Sequence, residues 1–109
     1  LLMQEQITEK LSNSPSAQTY YEIARYFQEQ KIKGVESLGY VNKALQIGGD
    51  TYYFHRVRSL ILADLGEYSK AIAAARISLE LADKEGKDEF VRLNSNSIRD
   101  WKILELKNK

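Results

Sequence analysis

Apolar residues recur along the chain at helical spacing. Tyr20, Ile23, Ala24 and Phe27 fall at i, i+3, i+4 and i+7, one face of an amphipathic helix. No run alternates apolar and polar residues with period two, so no strand is expected. Breaks divide the pattern into six helices. The first covers Met3 to Leu11, with Ile7 and Leu11 on one side. Ser12-Asn13-Ser14-Pro15-Ser16 interrupts it. Ser14 is the expected N-cap of the second helix and Pro15 its first residue, where a missing N–H is harmless. That helix runs to about Gln30, and Lys31 to Gly34 forms a turn. The third spans Val35 to Ile47 and carries Leu38, Val41, Ala44, Leu45 and Ile47. Gly48-Gly49-Asp50 stops it, with Asp50 or Thr51 capping the fourth. The fourth ends near Leu65 and Gly66. The fifth runs from Glu67 or Tyr68 to about Glu85, before Gly86, and the sixth from Asp88 to about Lys107.

The helices repeat. Lys43-Ala44-Leu45-Gln46-Ile47 aligns with Ile77-Ser78-Leu79-Glu80-Leu81 at an offset of 34 residues. Ser37-Leu38 aligns with Ala71-Ile72, and Val41 with Ala75, at the same offset. The preceding helices match at an offset of 35, Ala24 on Ser59 and Phe27 on Leu62, so the first turn holds one extra residue. Helix pairs recurring every ~34 residues mark a helical solenoid. Small residues recur at matched points: Ala24, Ser37 and Ala44 in one unit, and Ser59, Ala71 and Ser78 in the other. On the fifth helix Ala71, Ala75, Ser78 and Ala82 form a strip shouldered by Ile72, Leu79 and Leu81, a groove into which another helix packs.

Leu65-Gly66-Glu67-Tyr68-Ser69-Lys70-Ala71-Ile72, followed by Ala75 and Ser78-Leu79-Glu80-Leu81, resembles the second half of a tetratricopeptide repeat. The resemblance is good over residues 50–83 and fair over 16–49. His55 departs from it where an aromatic is usual, Arg58 where leucine is usual, and Asp83 where proline is usual. It implies an all-α fold, a right-handed stack of antiparallel helix pairs with a C-terminal capping helix. Residues 16–49 are then repeat 1, 50–86 repeat 2 and 87–109 the capping helix. Two repeats fall short of the three or more that usually make such a stack stable, so Trp101 and the last helix are expected to cap the core. Residues 43–101 also resemble the helical C-terminal part of a bacterial family of unknown function, often exported. Tyr52-Tyr53-Phe54-His55, Ser59-Leu60, Leu65-Gly66 and the stretch Asn94 to Trp101 carry that likeness. It implies an exported or periplasmic parent with a β-rich domain upstream. The opening Leu1-Leu2-Met3, lacking both an initiator methionine and a leader, likewise reads as a piece of a longer protein.

Charge and composition narrow the chemistry. Lys and Arg total 16, Asp and Glu 15, for a net charge of +1 over 109 residues. No helix carries a basic stripe, so nucleic acid is not an expected partner. No apolar run approaches the ~20 residues of a membrane span, so membrane insertion is not expected. With no cysteine and one histidine, thiolate metal sites are excluded and acid–base dyads are nearly so. His55, the one conventional base, is expected to pack between helices as a hydrogen-bonded substitute for an aromatic. Gly48-Gly49-Asp50-Thr51 lacks a P-loop lysine and follows a helix, so it reads as a turn with an N-cap. Asn94 and Ser97 interrupt the apolar side of the sixth helix formed by Phe90, Leu93, Trp101 and Leu104. Asn94 either faces a ligand or pins that helix to a turn or helix end of the second repeat.

Neither a catalytic set nor a cofactor site is expected. The anticipated function is non-catalytic: a scaffold binding a protein, a peptide or another domain of the parent. The alternative is a regulatory or helper domain of an enzyme whose catalytic residues lie elsewhere in the parent. Seven tyrosines outnumber three phenylalanines and one tryptophan, and tyrosine suits binding surfaces. By helical phase Tyr20 and Tyr52 belong to the core, whereas Tyr21 and Tyr53 turn about 100° away, toward the side on which the tetratricopeptide resemblance implies a concave, peptide-binding face. The expected partner-binding set is Tyr21, Arg25, Gln28, Tyr53, Arg56, Leu60 and Asp64. Two arginines on one face favour a partner bearing a carboxylate.

Overall fold

A computed structural model describes residues 4–12 and 14–108. Six helices follow in order: α1 (Gln4–Ser12), α2 (Ala17–Glu29), α3 (Gly34–Gly48), α4 (Tyr52–Asp64), α5 (Tyr68–Lys84) and α6 (Asp88–Lys107). No strand occurs among the described residues. The fold is all-α, and each helix packs on its neighbour in sequence. In addition α2 touches α4, and α4 touches α6. The molecule is a flattened slab of 41 × 32 × 22 Å.

The local chemistry sets the helix ends. Ser16, not Ser14, caps α2: its Oγ accepts the Thr19 N–H over 3.1 Å. Ser14 lies at φ 41°, outside the extended geometry an N-cap adopts, and Pro15 precedes the cap. Met3 and Asn13, named in the expected first helix and break, fall outside the described residues. Thr51 caps α4 through a 3.1 Å bond from the Phe54 N–H, leaving Asp50 free to reach His55. Gly66 and Gly86 take φ of 80° and 70° just past the ends of α4 and α5, where a side chain would be strained.

Every matched small position is fully buried: Ala24 and Ser59, Ser37 and Ala71, Ala44 and Ser78. Their lack of bulk lets the helices approach, and the serines add polar ties. Ser37 Oγ donates to the Ala24 carbonyl across α2 and α3 (2.9 Å), and Ser78 Oγ to the Tyr52 carbonyl across α4 and α5 (2.7 Å). The first core cluster joins Tyr21, Ala24, Val41, Ala44, Phe54, Val57 and Ile61. A second gathers Leu62, Ala71, Ile72, Ala74, Ala75 and Trp101, which places α6 over the exposed side of α5. Ala74 is buried beside the expected strip because α5 is sandwiched between α4 and α6. The α6 arc departs from expectation at its end. Leu104 is 38% exposed, since the last turns of α6 run past the core that Trp101 closes.

Candidate functional site

The faces of α2 and α4 meet the start of α6 in an open cleft of about 220 Å³. From α2 it is lined by Tyr21, Arg25, Gln28 and Glu29, and from α4 by Tyr53, Arg56, Val57 and Leu60. Phe90 of α6 closes it. Six of the seven residues expected to bind a partner therefore converge. They lie on two helices at one-turn spacing, so one face of each helix suffices to bring them together.

Asp64 is the exception, and its removal from the cleft is a correction. As the last residue of α4 it faces the C-terminal turn of α2. Lys31 Nζ donates to its carboxylate at 2.9 and 3.2 Å, and Gln28 Nε2 donates at 3.2 Å. This tie closes a second, smaller cleft of about 160 Å³, lined among others by Phe27, Gln28, Ile32, Ile61 and Leu65. Gln28 lines both, so the two clefts adjoin.

The aromatic wall is a linked set. Tyr21 meets Tyr53 edge-on at 5.1 Å between centroids and lies 5.2 Å from Phe54, while Tyr52 meets Phe90 edge-on at 4.8 Å. Tyr21 is only 8% exposed, which corrects the expectation that it turns away from the core. The reason is the packing of α2 against α4, which lays its ring against Phe54 and Tyr53. Burial holds the Tyr21 hydroxyl above its ordinary pKa, against the pull of the Arg25 guanidinium. Tyr20 and Tyr52 are half-buried.

The two arginines differ. Arg25 lies on the rim and pairs with Glu29 one turn later over 3.6 Å, with both side chains about half exposed. Such a pair is worth about 0–1 kcal/mol. Arg56 is half-buried, and burial pushes its pKa down. Its Nη1 donates to Asn94 Oδ1 at 3.1 Å and to Ser97 Oγ at 2.9 Å. No carboxylate pairs with it among the described residues. Asn94, fully buried, thus pins α6 to the middle of α4 and α5 rather than to a turn or helix end. Its Nδ2 donates to Ser78 Oγ over 2.8 Å.

Sequence reasoning missed Glu29, Val57 and Phe90 as cleft residues, and the support of Arg56 by Asn94 and Ser97. The polar break of Asn94 and Ser97 in an apolar arc was the available signal, but their partner lies about 40 positions away, at Arg56. His55 is buried, with Nε2 2.9 Å from Asp50 Oδ1 and Nδ1 without a partner. No cluster of three or more His, Cys, Asp or Glu close enough to hold a metal occurs among the described residues. None of the described helices is long and apolar enough to cross a membrane.

No family model matches the chain, and neither a curated protein nor a solved structure shows significant similarity to it.

Proposed function

We propose that this domain is a non-catalytic scaffold, a tetratricopeptide-like right-handed stack of two helix pairs with α6 as cap. Its groove between α2 and α4 binds a segment of another protein. The observation that carries this reading is the convergence of Tyr21, Arg25, Gln28, Tyr53, Arg56 and Leu60 on one open cleft. Those residues combine amphipathic aromatic surface with cationic groups, the types that most often dominate binding energy at protein interfaces. The contacts of α2 with α4 and of α4 with α6 suit a stack that progresses pair by pair. The outer positions of α6 between Arg92 and Lys102 are polar, as a terminal cap requires.

Peptide display on the wild-type domain tests the reading. Selected segments should bind wild type and Arg99→Glu, a change on the exposed outer side of α6. They should lose at least tenfold in affinity for Arg25→Glu and Tyr53→Ser, with the helical circular-dichroism spectrum unchanged. Equal binding to all four proteins would place the interaction elsewhere and overturn the groove.

A further inference from the structure

Arg56 stands out because its charge is fixed in place and no carboxylate among the described residues matches it. The hydrogen-bond relay behind it has one consistent direction. Ser78 Oγ gives its hydrogen to the Tyr52 carbonyl, so its lone pair accepts Asn94 Nδ2. That fixes the Asn94 amide with Oδ1 toward Arg56, where it accepts from Nη1 beside Ser97 Oγ. Both protein partners of the guanidinium are neutral. Nε and Nη2 donate to no acceptor among the described residues, and neither is sealed from solvent. Those two nitrogens form the edge of the guanidinium that matches the two oxygens of a carboxylate. The other cleft cation, Arg25, already pairs with Glu29.

We propose that this cleft takes the side-chain carboxylate of an Asp or Glu, within an extended segment of a partner protein, on the guanidinium of Arg56, and that Asn94 is the residue that positions it. The proposal rests on the reading of the cleft as a partner-binding groove. An internal side chain is favoured over a chain terminus because the cleft is open and a second cleft adjoins it at Gln28, leaving room for the chain beyond the guanidinium. Burial strengthens the preference, since a guanidinium partly removed from water gains more from an opposite charge than an exposed one.

The test uses pools of N-acetylated, C-amidated octapeptides, random except for a central glutamate or, in the matched pool, a central glutamine. Binding to isotope-labelled domain is followed through backbone amide and Arg Nε–H shifts. The glutamate pool should move the signals of Arg56, Tyr53 and Phe90 and bind about tenfold more tightly than the glutamine pool, the scale of a charge-assisted bidentate pair. Arg56→Gln should erase the difference between the pools, and a difference that survives it would overturn the assignment of the carboxylate to this guanidinium. Asn94→Asp should weaken it as well, because a carboxylate beside Nη1 neutralises the guanidinium charge. Melting curves establish that both variants are folded. Equal binding of the two pools in the cleft of wild type would overturn the carboxylate while leaving the groove reading intact. Absence of any cleft shift with either pool would overturn both. A glutamine-centred pool with a free C-terminus that matches the glutamate pool would transfer the site to a chain end. A phosphoserine-centred pool that outcompetes it would transfer the site to phosphate. Either result overturns the proposal.

Discussion

Ser78 and Asn94 share a hydrogen bond of 2.8 Å deep between α5 and α6, with neither side chain exposed to solvent. The matched position in the first helix pair is Ala44, which only permits close packing. In the second pair the same small site also anchors the last helix. Buried polar groups of this kind stabilise through the penalty for breaking them.

Asn94→Leu should therefore destabilise strongly. It leaves Ser78 Oγ without its donor and strands Arg56 Nη1 with one acceptor fewer. Each orphaned buried group costs about 1–3 kcal/mol. Ser78→Ala should also destabilise, by about 1–3 kcal/mol, because it takes from buried Asn94 Nδ2 its Ser78 acceptor. Denaturant midpoints of the two single variants and the double variant measure the coupling. A double variant whose loss equals the sum of the singles would show that the relay is not a unit.

The fold was legible because it is written in local periodicity. The Tyr20, Ile23, Ala24, Phe27 stripe follows from helix geometry, and it was enough to read an all-α chain of six helices. The site was legible in part for the same reason. Positions 21, 25 and 28 fall on one face of α2, as 53, 56 and 60 do on α4. What local pattern cannot give is the relation between elements. Tyr21 is in phase with the cleft, yet its ring packs against Phe54 of α4. Asp64 is in phase with Leu60, yet Lys31 lies beyond the end of α2 and captures it. Phe90, Asn94 and Ser97 join the site only once α6 folds back, which no periodicity in residues 17–64 encodes.

Helix phase on α5 is testable by size. Ala71 is fully buried among the second core cluster, whereas Ala73 is exposed on the same helix. Ala71→Leu should cost about 1–3 kcal/mol by overpacking. Ala73→Leu should stay within about 0.5 kcal/mol, as surface substitutions do. Equal denaturant midpoints for the two variants would refute the assignment.

Two glycines of α3 differ in the same way. A Cβ on Gly48 would lie 2.7 Å from the Ala17 Cβ and 3.1 Å from the Phe54 ring, so α2 and α4 crowd it with atoms that cannot turn aside. A Cβ on Gly34 would meet Leu65 Cδ2 at 2.7 Å, the tip of a side chain that is 39% exposed and has room to rotate. Gly48→Ala should lower stability by about 1–3 kcal/mol. Gly34→Ala should be near neutral, its helix propensity gain of up to about 1 kcal/mol offsetting the displacement of Leu65. Thermal melts of the pair decide the point, and a more stable Gly48→Ala protein would contradict the close approach of α2 to the end of α3.

The Tyr21 hydroxyl links stability to alkaline pH. Burial raises its folded pKa above the ordinary value near 10, and Tyr53 and Glu29 act in the same direction, while Arg25 opposes them. With a raised folded pKa, the native state holds its proton after the unfolded state has released it. The unfolded state then binds fewer protons, and stability falls as pH rises. The contribution of Tyr21 is fully present below about pH 10 and is lost above it, as pH climbs through the folded value. Melting temperature should therefore decline more steeply above pH 10 in wild type than in Tyr21→Phe, which has no proton to lose there. Tyrosinate absorbance should show one tyrosine titrating later than the rest, and that late step should vanish in Tyr21→Phe. Arg25→Gln removes the opposing guanidinium, so it should delay the step further. An earlier step in Arg25→Gln would mean that burial does not govern this hydroxyl, and that the ring lies open in the cleft rather than against Phe54.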